Sequence, residues 1–391
     1  MDYLNPGYAL AVMALALALA AAIARSSAWY GERLAEAAGN RFEMIDGLRG
    51  FLAFGVLLSH VVNNHTYYTT GVWSSASGFY AMSGQAGVSL FFMITGFLFW
   101  SRVLKSAEAF DARALFLSRL RRLVPMYAVS VAFVFAIVAA VSGFTLHEPL
   151  VSLAREARAW LSFGFLDGGE INGVKEAHII NATYWTLAYE WLFYLSLPLL
   201  ALYARGPRFL LLVLAVVFFG MQRPITFNFL CGALAALAVE KRLLEGRLAS
   251  RWLAPVPLAA LALTFAFESA YAPAPIALLF VFFLFVVDGN DLLGLLRLPA
   301  AKLLGMVSYS VYLLHCMVLY VIYRAFDAFL PVALLGPAQY WALAALAGLA
   351  TVALSALTYR YVEYPFHALR PLAKASRIDV LGTAGRVLSR S

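Results

Sequence analysis

Eleven apolar stretches recur along the 391 residues, and they leave little freedom in what the chain can become. A helix needs about 20 mostly apolar residues to cross a hydrocarbon core. The stretches fall near 7–25, 47–66, 86–104, 123–142, 185–203, 209–221, 225–240, 252–270, 275–288, 303–324 and 340–362, of which 209–221 and 275–288 are short. In lipid every backbone N–H and C=O must be bonded internally, which admits only helices and closed barrels. The aromatic residues are interleaved with Ala and Leu at helical lengths, not in alternating strands of about 10 residues, so a barrel is excluded. Hydrophobic residues make up 63% of the chain and charged ones 13%, where soluble domains sit near ~45–50% and ~25%. The sequence predicts an all-α polytopic membrane protein of about 11 transmembrane helices.

Basic residues set the orientation. If the spans alternate, 24 of the 29 Lys and Arg residues fall on one side, and only Arg155, Arg158, Lys175, Arg223 and Arg324 fall on the other. The positive-inside rule then places the N-terminus outside and the C-terminus in the cytoplasm. A net charge of +8 distributed in this way is a topology signal rather than a nucleic-acid footprint. The first stretch has no basic residues before it, Asp2 precedes it and arginines follow it, so it is expected to be a retained helix and not a signal peptide. Residues 143–184 are too polar to span and too short for a folded domain; a plain connection and a lid over an outward-facing site fit them equally. Residues 371–391 read as a cytoplasmic tail. Cys231 and Cys316 both lie in apolar runs, which points to neither a disulfide nor a cysteine metal site, and no metal-ligand cluster is apparent.

Ionisable groups inside spans are costly and mark pathways or active sites. In "EMIDGLRGFLAFGVLLSHVVNNH", Arg49 and His60 are eleven residues apart, which returns to within about 20° of the same helix face after a rise of about 16 Å. Asp46 lies one turn before Arg49, Asn63 and Asn64 one turn beyond His60, and Ala53 and Val56 lie between. Thr95, Glu190 and His315 fall at similar depth in other spans. His60, Glu190 and His315 together would make a general-base group; an interhelical hydrogen-bond network is the plainer reading. Arg119 and Arg122, three apart at a helix start, suit phosphate groups, or simply anchor the helix at the cytoplasmic face.

Taken in order, six segments resemble the acyltransferase-3 family of membrane O-acyltransferases over residues ~42 to ~367: "IDGLRGFLAFGVLLSH", "SLFFMITGF", "RLRRLVPMY", "WTLAYEWLFYLSLP", "VSYSVYLLH" and "YRYVEYPF". The pattern of Arg, ten residues and His is met by Arg49 and His60, and a Trp, Glu, Phe-Tyr pattern by Trp185, Glu190, Phe193 and Tyr194. Thr95 stands where the family usually has Ser, and Tyr364 where an Arg often lies. The resemblance implies a ten-helix acyltransferase domain at 42–370, one extra helix and linker at 1–41, and transfer of an acyl group, generally acetyl from cytoplasmic acetyl-CoA, to a sugar hydroxyl of an envelope glycan or lipid-linked saccharide at the bacterial inner membrane. Some family members carry a fused esterase-like domain; the residues after 367 are too few for one.

An acyl thioester is already activated, so transfer needs a base for the acceptor hydroxyl and donors for the oxyanion. His60 is the candidate base, with Glu190 or His315 as orienters, and the acyl arm would run through an apolar slot at Ala53 and Val56. Arg49, Arg119 and Arg122 would hold the CoA phosphates, and Asp46, Asn63, Trp185 and Tyr194 are candidates for substrate contact. No tightly bound cofactor and no metal are required; acyl-CoA is a substrate. Three rivals stay open at this point: a small-molecule acceptor such as a macrolide, another donor such as succinyl-CoA, and a flippase of sugar-containing lipids.

Overall fold

A computed structural model of the chain describes residues 2–39, 42–105, 110–203 and 220–368. Asn5 opens the first helix, α1 (Pro6–Ser26), by accepting the Gly7 N–H at 2.9 Å ahead of Pro6, a residue suited to a first turn. An amphipathic α2 (Ala28–Ala37) follows. The next long helices are α3 (Glu43–Thr70), α4 (Gly78–Lys105) and α5 (Ala112–Val141), the last capped by Asp111. Beyond them come α6 (Leu150–Trp160), a single turn α7 (Ala177–Ile180), α8 (Trp185–Tyr203) and α9 (Phe227–Glu240). The chain continues through α10 (Pro255–Thr264), α11 (Pro273–Val287), α12 (Pro299–Met306), α13 (Ser308–Asp327) and α14 (Pro337–Thr358). A π-turn over Tyr359–Glu363 leads into the short α15 (Tyr364–His367).

The protein is an all-α polytopic membrane protein. Among the described residues seven helices are long and apolar enough to cross a membrane, and three apolar helices, at Pro224–Glu240, Arg251–Thr264 and Pro273–Val287, are shorter. The expected stretch 209–221 lies almost wholly outside the described residues, as does the tail 371–391. The expected span 303–324 is not one helix: α12 ends at Val307 (φ −92°, ψ 8°) and α13 begins beside it. Near that break, Ser310 Oγ donates to the buried Glu363 of the π-turn, and Thr358 Oγ1 donates to Ser310 Oγ at 2.9 Å.

Glycine brings two helix pairs to backbone contact. Gly96 of α4 lies against the Phe229 carbonyl of α9, and Gly232 of α9 against the Met93 carbonyl of α4; any side chain at either would collide with backbone. Gly47 and Gly50 of α3 meet Leu296 and Ala301 in the same way, and Gly305 of α12 meets Asp46. In a membrane, where lipid is as apolar as leucine, such close approach is a main source of helix association. Residues 143–184 share a core with the bundle: Trp160, Ile171 and Ile180 are buried with Met126 and Val134 of α5 and Leu313 and Met317 of α13. The Asn172 side chain ties this segment together, accepting the His147 N–H and donating to the Thr145 carbonyl, both at 2.8 Å. The first helix packs on α12 and α14 and shares their core, and Trp341 Nε1 donates to the Tyr3 carbonyl at 2.9 Å.

Candidate functional site

Five helices, α3, α4, α5, α8 and α13, enclose a cavity of about 330 Å³. Its mouth is built from Arg49, Arg102, Lys105, Arg119 and Arg122, and among the described residues Glu190 is the one acidic residue in its lining. An excess of cations of this kind has the charge to attract a polyanion. Two of the guanidiniums lie over one aromatic ring: Arg102 Cζ is 5.2 Å and Arg119 Cζ 4.8 Å from the Phe99 centroid. Farther in, Glu190 accepts from Thr95 Oγ1 at 3.3 Å and from the Tyr194 hydroxyl at 3.4 Å, with Arg119 and Arg49 near enough to act on its charge. Ser308 is 1% exposed and lines the cavity, and its hydroxyl has no partner; the buried Arg119 Nε has none either. Both are therefore free to bond a polar group placed in the cavity. Along α4 the lining runs from Lys105 to Val88, about 26 Å at about 1.5 Å per residue. The far end is closed by Thr186 and Tyr312, whose hydroxyls are 3.0 Å apart.

One turn past Tyr312 stands a histidine pair. His60 Nδ1 and His315 Nε2 are 2.8 Å apart, with the rings stacked at 5.0 Å. His315 is fully buried, and its Nδ1 lies 2.9 Å from the Val311 carbonyl. A carbonyl only accepts, so that nitrogen carries the proton and His315 Nε2 is a bare acceptor. With both rings neutral, His60 Nδ1 must then be the donor, which leaves the lone pair on His60 Nε2. That is the tautomer a base needs, fixed from behind by a second residue. Cys316 Sγ lies 3.4 Å from His60 Nδ1, and the three ligand-type atoms are all within 4.8 Å of one another. The sequence reading found no such grouping, because His60 and Cys316 are 256 residues apart.

The expected residues therefore divide. His60 and His315 meet, whereas Glu190 faces the basic cavity and bonds Thr95 and Tyr194. Arg49, Arg119, Arg122 and Tyr194 all line that cavity. Asp46 instead lines a second cavity of about 270 Å³, 4.0 Å from Arg49. Asn63 has a buried, unpartnered Oδ1 outside both cavities, and Trp185 is 38% exposed and packs edge-on against Tyr189. The expected slot at Ala53 and Val56 is corrected: Ala53 is fully buried in the core shared with α1, α12 and α14, and Val56 packs on Gly87, so the passage runs along α4 instead. Sequence reasoning missed Ser308, Tyr312 and Thr186. A signal for Tyr312 existed, since it lies three residues before His315 on the same helix.

In the second cavity Arg33, Arg49, Arg122 and Lys302 are balanced by Glu36, Glu43, Asp46 and Glu363, and Arg49 and Arg122 belong to both cavities. Lys302 pairs with Glu43, and Arg33 with Glu36 at 2.9 Å. Where the resemblance leads one to expect an Arg, Tyr364 is met by Arg33 of α2, which donates to its hydroxyl and lies with Cζ 5.5 Å from its ring centroid.

Residues 42–360 match the family described as acyltransferase domain. The chain is also similar to nodulation protein 10 of Rhizobium leguminosarum bv. viciae, 28% identical over 379 residues that cover 87% of this chain and 96% of that protein. No solved structure gives a significant match.

Proposed function

Because the chain belongs to the acyltransferase-3 family, we propose that it moves an acyl group, acetyl from acetyl-CoA first among the candidates, to a hydroxyl of a cell-envelope glycan or lipid-linked sugar. The observation that carries this reading is the cavity with a five-cation mouth that ends one helical turn from the His60–His315 pair. The donor's phosphates sit on Arg49, Arg119 and Arg122 with Arg102 and Lys105 beside them, and its arm extends along α4. Ser308 Oγ and Arg119 Nε supply hydrogen bonds to its polar groups.

His60 Nε2 takes the proton of the acceptor hydroxyl as the oxygen attacks the thioester carbonyl. Collapse of the tetrahedral intermediate breaks the C–S bond, and the CoA thiolate leaves with the proton that His60 holds. His315 does not exchange a proton with substrate; it holds the His60 ring and accepts from Nδ1, so that the imidazolium is stabilised as it forms. In this scheme the positive-inside distribution places the donor in the cytoplasm and the acceptor at the opposite face of the bacterial inner membrane.

The test is radiolabelled acetyl-CoA supplied to the purified full chain with extracted envelope lipids and glycans, alongside mass spectrometry of envelope glycans from a deletion strain. Label on a saccharide, and loss of the same acyl group from the deletion strain, are expected. Label on no saccharide, with transfer to a small-molecule hydroxyl, would replace the glycan acceptor; absence of acyl-CoA binding would remove the donor assignment altogether.

A further inference from the structure

For transfer, the attacked carbonyl must lie about 3–3.5 Å from the acceptor oxygen, which in turn lies about 2.6–3.2 Å from His60 Nε2. A donor in the cavity therefore has to bring its carbonyl to the level of Tyr312, whose ring is 6.1 Å from that of His315. Everything beyond the carbonyl, the acyl chain itself, must then fit among Tyr312, Thr186, Phe91 and Val88.

That space is closed by a braced ring. Thr186 Oγ1 is 2.9 Å from the Thr183 carbonyl and gives its single proton there, so the 3.0 Å contact with Tyr312 is made by the phenol donating to Thr186. Thr183 Oγ1 lies 3.1 Å from Asn181 Oδ1 and 3.2 Å from the Tyr312 carbonyl, with one proton to share between the two acceptors. Phe91 of α4 stands edge-on to the ring at 5.9 Å. The brace comes from the first turn of α8 and the residue Thr183 just before it, and it crosses to α13 at Tyr312, one turn from His315.

We propose that Tyr312, held by Thr186, sets the size of the acyl group: the site takes CoA thioesters of the shortest acyl groups and rejects medium chains. This rests on the donor reading above and adds a specificity-determining residue to it. A chain of several carbons would have to displace the phenol and break its bond to Thr186.

The experiment measures binding of CoA, acetyl-CoA and octanoyl-CoA to the purified full chain in lipid nanodiscs by calorimetry. Wild type is expected to bind acetyl-CoA about tenfold more tightly than octanoyl-CoA. Tyr312→Ala should cut that ratio to about threefold or less, through tighter octanoyl-CoA binding, with CoA itself bound as in wild type. Thr186→Val, which removes the brace and keeps the volume, should fall between. If Tyr312→Ala loses CoA binding through misfolding, Phe91→Ala widens the same end from α4 and carries the same expectation. Equal binding of the two thioesters by wild type, or an unchanged ratio in the folded variants, overturns the proposal. A wild type that binds none of the three ligands overturns the donor reading itself, and the size limit with it.

Discussion

At the scale of single residues, the proposed scheme gives His60 and His315 different tasks. Replacing His60 by Ala should lower turnover by about 10²–10⁴-fold while leaving acyl-CoA binding intact; a purified variant with near-normal turnover would remove His60 from the chemistry. His315→Gln keeps an acceptor near His60 Nδ1, whereas His315→Ala removes it. Turnover should therefore fall less in the Gln variant than in the Ala variant, with the donor KM steady in both. Arg119→Gln with Arg122→Gln should act on the donor alone. Charge-assisted bonds contribute about 1.5–3 kcal/mol each, so the apparent KM for acyl-CoA should rise by at least about tenfold, and unchanged affinity would reduce the pair to topology anchors. The sequence made part of this legible. Arg49 and His60 lie on one helix, where a 3.6-residue repeat places them on one face without any tertiary knowledge. What covers that face is a tertiary fact, and there the reading failed: Ala53 is small enough for α1, α12 and α14 to close around it, so the expected slot is packed core. His315 was legible as one of two candidate partners for His60, but which of His315 and Glu190 reaches that ring is a tertiary fact, and the contact is made by His315.

Elements add constraints that no single side chain shows. The α4–α9 crossing depends on Gly96 and Gly232 meeting carbonyls, and α4 carries the whole length of the cavity wall. Gly232→Leu should separate the two helices at a cost of about 1–3 kcal/mol or more, lowering the thermal midpoint and weakening acyl-CoA binding together; loss of one without the other would uncouple packing from the site. Glu363 braces the start of α13 through Ser310, and Glu363→Ala should cost about 1–3 kcal/mol by removing the acceptor for that hydroxyl's proton, read as a lower midpoint. In the segment 143–184, the Glu148 carboxyl is raised from its ordinary 4.5 first by a hydrogen bond to Glu156, then by partial burial and by the negative charge of its neighbours. A raised carboxyl supports the folded segment while protonated, and that support is lost as pH climbs from the ordinary value through the raised one. Proteolysis of this segment should be slower at about pH 4 than at about pH 7. Periodicity could locate these helices but not their ends: the break at Val307 lies between Gly305 and Ser308, with neither Pro nor charge to announce it.

For the whole molecule, the orientation read from the basic residues predicts an extracytoplasmic N-terminus and a cytoplasmic C-terminus. A reporter fused after Ser391 should be active only in the cytoplasm. In sealed inside-out vesicles given external acetyl-CoA, acceptors enclosed in the lumen should become modified; modification confined to acceptors outside would defeat transfer across the bilayer. The apolar runs made the class legible, and seven of the eleven overlap with helices of spanning length among the described residues, but they said nothing of how the two cavities adjoin. Arg49 and Arg122 stand in the wall between them, and each has one charge to share. In the proposed donor mode, phosphate on one side and the carboxylates of Asp46 and Glu363 on the other would be rivals for the same two cations. By reciprocity of linked equilibria, a bound nucleotide would then loosen these arginines from the carboxylates of the cavity into which α2 reaches with Arg33. On that scheme α2 would be a gauge of occupancy, held most firmly with the donor site empty.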